Sequence, residues 1–271
     1  MFPAARGWRR ETLMKRTFAL LFLAVAPVFA AGPFSSNHLA ASRFAASKAA
    51  PPDPLAAGLT NPQRLEALIE RVKLEQRKLR TLEASFEQQQ ESSLLAAPET
   101  SRGIFSYAAP DRVRWEYLSP SPISVVIRGD QMTTWYRDLK KAETLKIGRY
   151  SNQVFKYLGA SGSLQTLLEY FTVKLRLSEK RGEPYRMELV PKYARIAKRL
   201  KSMTLWIDDQ TFLPNRLRHI DADGDTTEYH FTDFKMNASL PEDRFVLKLP
   251  KGVETRVLNV GGDPNATHPN R

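Results

Sequence analysis

The sequence predicts a mainly β (α+β) fold. It is an unclosed, strongly curled antiparallel β-barrel of about 11–12 strands, with an N-terminal amphipathic helix and short helices over its concave face. Three observations lead there. Segments with a period of 2, rich in β-branched and aromatic residues, recur at short spacing. The corners between them, such as Gly129-Asp130 and Ala109-Pro110-Asp111, are turn chemistry with room only for hairpins. One long stretch near the start has helical spacing instead, and an amphipathic helix needs an apolar surface to lie on.

Taken in order, the first thirty residues read as a secretory signal peptide. Met14-Lys15-Arg16 precede TFALLFLAVAPVFAAG, an apolar run that Pro27 breaks, and small residues place cleavage at Ala30/Ala31. Met14 is a second candidate start, and Arg9-Arg10-Glu11-Thr12-Leu13 loosely resembles a twin-arginine signal. Residues 31–60, rich in Ala, Ser and Pro, read as a flexible leader, and 259–271 as a disordered polar tail. The folded unit is expected over 61–258.

That unit opens on a helix capped by Thr60 or Asn61 with Pro62 in its first turn, and Leu65, Leu68, Ile69, Val72, Leu79 and Leu82 recur on one face. Strands are expected at 82–90, 103–108, 112–118, 122–129, 132–137 and 142–149. Two short helical patterns follow, Asn152–Leu158 and Ser163–Phe171, separated by Gly159 and Gly162. Strands resume at 172–179, 185–191, 200–208, 214–221, 226–234 and 245–250.

The chain of 271 residues carries 41 basic and 29 acidic side chains, a formal charge of +12. Cleaving the signal removes five of the basic residues and one acidic, which leaves the chain basic. An exported protein meets no chromosome, so nucleic acid is excluded as a partner and envelope surfaces remain. Cysteine is absent, which excludes disulfides, thiol nucleophiles and an N-terminal lipidation site.

Chemistry is hard to find. His219 and His230 fall on adjacent strands and read as a surface pair on a hairpin, without metal-ligand spacing. The stretch DADGDTTE (221–228) fails as a calcium loop at Thr226 and Thr232. GASGS (159–163) has the letters but not the spacing of a hydrolase elbow. No enzyme activity, cofactor or metal is expected. Lys192, Arg195, Lys198, Arg199 and Lys201 crowd one loop, either as a solvated face or as a docking patch for acidic headgroups or an acidic partner. Apolar strand faces are abundant, and Val125, Ile127, Met132, Tyr136, Met203, Leu205, Ile207, Tyr229 and Phe231 are the candidates for lining a hydrophobic cavity. Arg114, in PDRVRWEYLSP, alternates with Val113 and Trp115; it is either an ordinary charge paired with Glu116 or a residue reaching for something elsewhere.

The order of SFEQ (85–88), RGIFSYAAPDRVRWEYLSP (102–120), VVIRGDQMTTWYR (125–137), LWIDDQTFLPNRLRHIDADGDTTEYHFTDF (205–234) and RFVLKLPKGVE (244–254) resembles the periplasmic outer-membrane lipoprotein carrier proteins, the LolA family. Gly129-Asp130 stands where that family usually has Asp-Gly, and the leader and tail are extra. The resemblance implies an unclosed barrel with a helical lid over a hydrophobic cavity. It implies a monomeric periplasmic carrier that takes acylated lipoproteins from an inner-membrane ABC transporter complex to an outer-membrane lipoprotein acceptor. That acceptor needs an N-terminal Cys, so the soluble carrier is the matching role. The resemblance also implies that Arg114, at the arginine of Pro-x-x-x-Arg-Trp, latches the lid through its backbone carbonyls. Carriage of another lipid or glycolipid, or envelope sensing, is the alternative on the same fold.

Overall fold

A computed structural model describes residues 51–147, 164–178 and 182–259. The signal peptide, most of the leader, the helical pattern at 152–158 and the tail beyond 259 lie outside the described residues. The segment 51–60, assigned by composition to the leader, is bound to the fold: Arg64 donates to the carbonyls of Leu59 (3.1 Å) and Pro54 (2.9 Å), and Leu55 packs against the core.

Helix α1 (Asn61–Lys78) starts where the cap residues place it, with the Gln63 side chain accepting from the Thr60 N–H at 2.9 Å. It stops four residues short of the apolar pattern. Leu79 and Leu82 continue the helical spacing in sequence, yet Leu79 is already extended and Leu82 lies in the first strand. Asn237 fixes the stop: its Nδ2 donates to the Lys78 carbonyl (3.2 Å) and its Oδ1 accepts from the Arg80 N–H (2.7 Å).

The strands are β1 (Thr81–Glu91), β2 (Glu99–Ala108), β3 (Arg112–Ser119), β4 (Ile123–Arg128), β5 (Gln131–Tyr136) and β6 (Lys141–Lys146), then β7 (Phe171–Arg176), β8 (Tyr185–Pro191), β9 (Leu200–Ile207), β10 (Pro214–Asp221), β11 (Thr226–Met236) and β12 (Glu254–Asn259). They form one sheet in the order β12-β6-β5-β4-β3-β2-β1-β11-β10-β9-β8-β7, so β12 and β7 are its two ends and it does not close. All neighbours are antiparallel except β12, which runs parallel to β6. Two short helices complete the described residues, α2 (Leu164–Tyr170) before β7 and the single turn α3 (Ala194–Ala197) between β8 and β9.

The stretch 245–250, expected as a strand, is not one. Glu242–Phe245 is a 3₁₀ turn, and the extended residues after it join no ladder. Phe245 is 2% exposed while Val246 is 40% exposed, so the apolar alternation reflects a single buried anchor. Residues 237–253 form a strap from β11 to β12 across the sheet. The strand the sequence concealed, β12, keeps Val257 exposed and lacks an inward apolar row.

Two hydrophobic clusters lie on one face of the sheet, here the inner face. Leu68, Ile69 and Val72 of α1 join the cluster formed by Tyr185, Met187, Leu189, Leu205 and Ile207 of β8 and β9. The other cluster is built by β1–β5 and β11 around aromatic rings, and Leu217 of β10 packs against both.

Candidate functional site

Cross-strand pairing puts the inner face together in rows. One row runs Phe231, Phe86, Gly103, Tyr117, Ile123 and Tyr136 from β11 to β5. The next contains Phe105, Trp115 and Val125, and the next Tyr107, Val113, Ile127 and Met132. Because side chains alternate with period 2, agreement of parity across six strands makes an unbroken apolar surface. Trp115 is its hub, with ring centroids of Phe105, Phe86, Tyr229 and Phe231 at 4.8, 5.0, 5.6 and 5.8 Å. Gly103 is required by close approach: the Phe86 ring lies across it, and a Cβ there would sit 2.6 Å from Phe86 Cζ and 2.0 Å from the Glu116 carbonyl oxygen.

All nine cavity candidates fall on this face. Val125, Ile127, Tyr136 and Tyr229 are buried in the aromatic cluster, with Met132 and Phe231 half-buried against it. Leu205 and Ile207, with Met203 half-buried beside them, belong to the cluster that α1 covers. The structure therefore brings the nine together as two groups rather than one.

Toward one end the inner face turns polar. The Tyr117 hydroxyl donates to Gln88 Oε1 at 2.8 Å, and burial pushes the Tyr229 hydroxyl up to about 12. Next to them by register are Thr227 and His219, both buried. Burial lowers the His219 imidazole to about 4, so it is neutral at pH 7, and burial with the charges of Asp225 and Asp223 raises Asp221 to about 6. The two histidines are not a surface pair. His219 opposes Thr227 on the inner face, whereas His230 opposes Arg216 on the outer face and contacts Glu228. The signal was parity: His219 shares it with Leu217, His230 with Glu228.

The outer face of β3–β5 carries an ionic network. Glu116 accepts from Arg114 Nε at 2.8 Å, from Ser124 Oγ at 2.8 Å and from Arg137. Burial pushes its carboxyl upward, but the bonds from Arg137, Ser124 and Arg114 outweigh that and hold it below the usual carboxylate range. Arg114 does more than pair with Glu116: its Nη1 donates to the Arg244 carbonyl at 2.9 Å. That carbonyl belongs to the strap, on the face opposite Trp115, and not to a helix over the inner face. Arg244 in turn pairs with Glu83 of β1, and Arg112 with Glu242. The pairing with Glu116 is one of the two sequence readings of Arg114; Ser124, Arg137 and Arg244 were missed, Arg244 because its contact spans 130 residues of chain.

The basic loop is the turn containing α3, except that Lys201 already lies in β9. Lys192 donates to the Leu168 carbonyl at 2.7 Å, and Arg195 lies 5.5 Å from the Tyr193 ring. Lys192, Arg195, Lys198 and Lys201 are exposed and Arg199 is half-buried. Among the described residues, no group of acidic, histidine or cysteine side chains could hold a metal ion, and no helix is long and apolar enough to cross a membrane.

The model of the family described as outer membrane lipoprotein carrier protein LolA matches residues 77–248. The chain belongs to the LolA family. It is 27% identical over 198 residues to an outer-membrane lipoprotein carrier protein of Pseudomonas putida (strain GB-1), covering 73% of this chain and 88% of that one. A protein of the same name from Pseudomonas fluorescens (strain Pf0-1) is 25% identical over 175 residues, covering 65% and 81%. Among solved structures, an uncharacterized conserved protein from Thermus thermophilus aligns over 72% of this chain and 99% of its own, at 14% identity and a TM-score of 0.46. LolA-family membership gives the aromatic inner face and the strap a common frame, since the matched range runs from the end of α1 through β11 into the strap.

Proposed function

We propose that this LolA-family chain is a periplasmic carrier that covers the acyl chains of lipoproteins. It takes them from an inner-membrane ABC transporter complex and delivers them to an outer-membrane acceptor. The family match over 77–248 is the observation that carries this reading. The physics suits it: exposing one acyl chain of about 15 methylenes costs roughly 12 kcal/mol at ~0.8 per CH₂. A one-sided apolar face with Met132, Met203 and Phe231 at its half-buried margins offers replacement contacts, and unbranched Met adapts to irregular chains. Val125, Ile127, Tyr136, Leu205, Ile207 and Tyr229 would line the path behind them. Export through a cleaved signal near Ala30/Ala31 and a monomeric state complete the proposal.

The test is native mass spectrometry on protein purified gently from the periplasm of its own host. The expected result is a bound mass matching a triacylated lipoprotein. A bound lipid alone would replace lipoproteins by another lipid cargo, and a protein that stays ligand-free when offered acylated peptide would remove the carrier role.

Arg114 is the proposed latch, acting on the strap. The strap crosses the outer side of strands whose inner side holds Val125, Ile127 and Met132, so freeing it loosens the wall behind those contacts. Arg114→Leu removes the bonds to Glu116 and to the Arg244 carbonyl. The variant should load acylated peptide, pass it to the acceptor more slowly, and exchange the backbone amides of 244–248 faster with deuterated water. Normal transfer with unchanged exchange would take the latch role away.

A further inference from the structure

On the outer face of β8, β9 and β10 the side chains form a furrow of about 530 Å³. Its floor is Ser202 and Thr204 of β9, short hydroxyl residues between taller walls. Arg186, Glu188 and Val190 of β8 make one wall; Arg216, Arg218 and Ile220 of β10 make the other. Trp206 closes one end, with the Arg216 guanidinium 4.3 Å and the Arg186 guanidinium 5.6 Å from its ring. The other end opens beside the basic α3 turn.

The charges here do not balance. Glu188 is shared by Arg176 and Arg186, and Glu228 by Arg216 and Arg218. Four guanidiniums therefore share two carboxylates. Arg218 is the least satisfied: its Nε is buried without a hydrogen-bond partner among the described residues, and the Glu228 oxygen is 4.0 Å away. A buried donor left without a partner is costly, and a guanidinium so poorly paired favours an incoming acceptor.

We propose that this furrow docks an extended acidic segment of a partner protein. From Ser202 to Trp206 it runs about 13 Å at ~3.3 Å per residue, and walls two strands apart admit one extended chain. Carboxylates on that chain would meet Arg186, Arg216 and Arg218, small hydroxyls leave room for its backbone, and exposed Val190 and half-buried Ile220 accept its apolar side chains. A flat bilayer would touch the walls and the α3 turn but not the floor, which is why a peptide is the favoured occupant. The proposal does not rest on acyl binding, because the furrow lies on the face opposite both hydrophobic clusters.

The test is fluorescence anisotropy with a labelled octapeptide of alternating aspartate and valine, beside its lysine–valine counterpart. Vesicles of equal parts phosphatidylcholine and phosphatidylglycerol serve as the membrane probe. Ser202→Tyr fills the floor without changing charge, and Arg218→Gln removes the least satisfied guanidinium; each is checked for an unchanged unfolding midpoint. The expected result is salt-sensitive binding of the acidic peptide alone, weakened by about tenfold in each variant. Binding that survives Ser202→Tyr would reduce the furrow to a diffuse charge effect. Vesicle binding without peptide binding would make the surface a lipid-docking face, and no binding to either would end the proposal.

Discussion

Gly103→Ala yields little or no folded protein. The added Cβ would lie 2.0 Å from the Glu116 carbonyl oxygen of the adjoining strand and within 2.8 Å of two atoms of the Phe86 ring. Ordinary overpacking costs about 1–3 kcal/mol because side chains can shift. Here one neighbour is backbone, so β2 and β3 must part where six strands share a row rich in aromatic rings. Phe86→Ala in the same chain relieves the ring clash but not the carbonyl clash, and should restore only part of the yield. Soluble yield and thermal midpoint of the single and the double variant are the measurements. A single Gly103→Ala variant with an unchanged midpoint would mean that the row is looser than described.

Trp115→Ala is the second large effect. Trp115 is 5% exposed and meets four rings, so its removal leaves a cavity that neighbours held in a sheet cannot close. Loss of about 3–5 kcal/mol is expected. At about 2–4 °C per kcal/mol for a domain of this size, the midpoint falls by roughly 6–20 °C. Guanidinium unfolding measures it directly. A change below about 1 kcal/mol would show that the ring cluster repacks around the gap, contrary to the usual cost of such a truncation.

Why these residues matter was only partly legible in the sequence. The alternation in RVRWEYL marked β3 and separated Trp115 from Arg114, and the Thr60-Asn61-Pro62 cap marked the start of α1. The end of α1 was not legible, since Leu79 and Leu82 keep helical spacing and the stop depends on Asn237, far along the chain. Residues 245–250 misled because Phe245 is an anchor on the outer face of β3 and β4 rather than one member of a row. Strand β12 was missed because its partner, β6, lies more than a hundred residues earlier and asks for no apolar pattern. The nine candidate positions were chosen from separate strands, and only the register places them on one face. Arg114 was singled out by its neighbours in sequence, but its strap carbonyl could be found only in three dimensions.

The parallel pairing of β12 with β6 also sets an order of events. During synthesis β6 emerges with one edge bare, and among the described residues the partner of that edge does not follow until residue 254. A bare edge is a template for any other extended chain, and closing so long a loop is slow compared with forming hairpins. A newly made copy therefore carries an unfinished sheet edge until β12 arrives, and neighbouring nascent copies compete for that edge in the meantime.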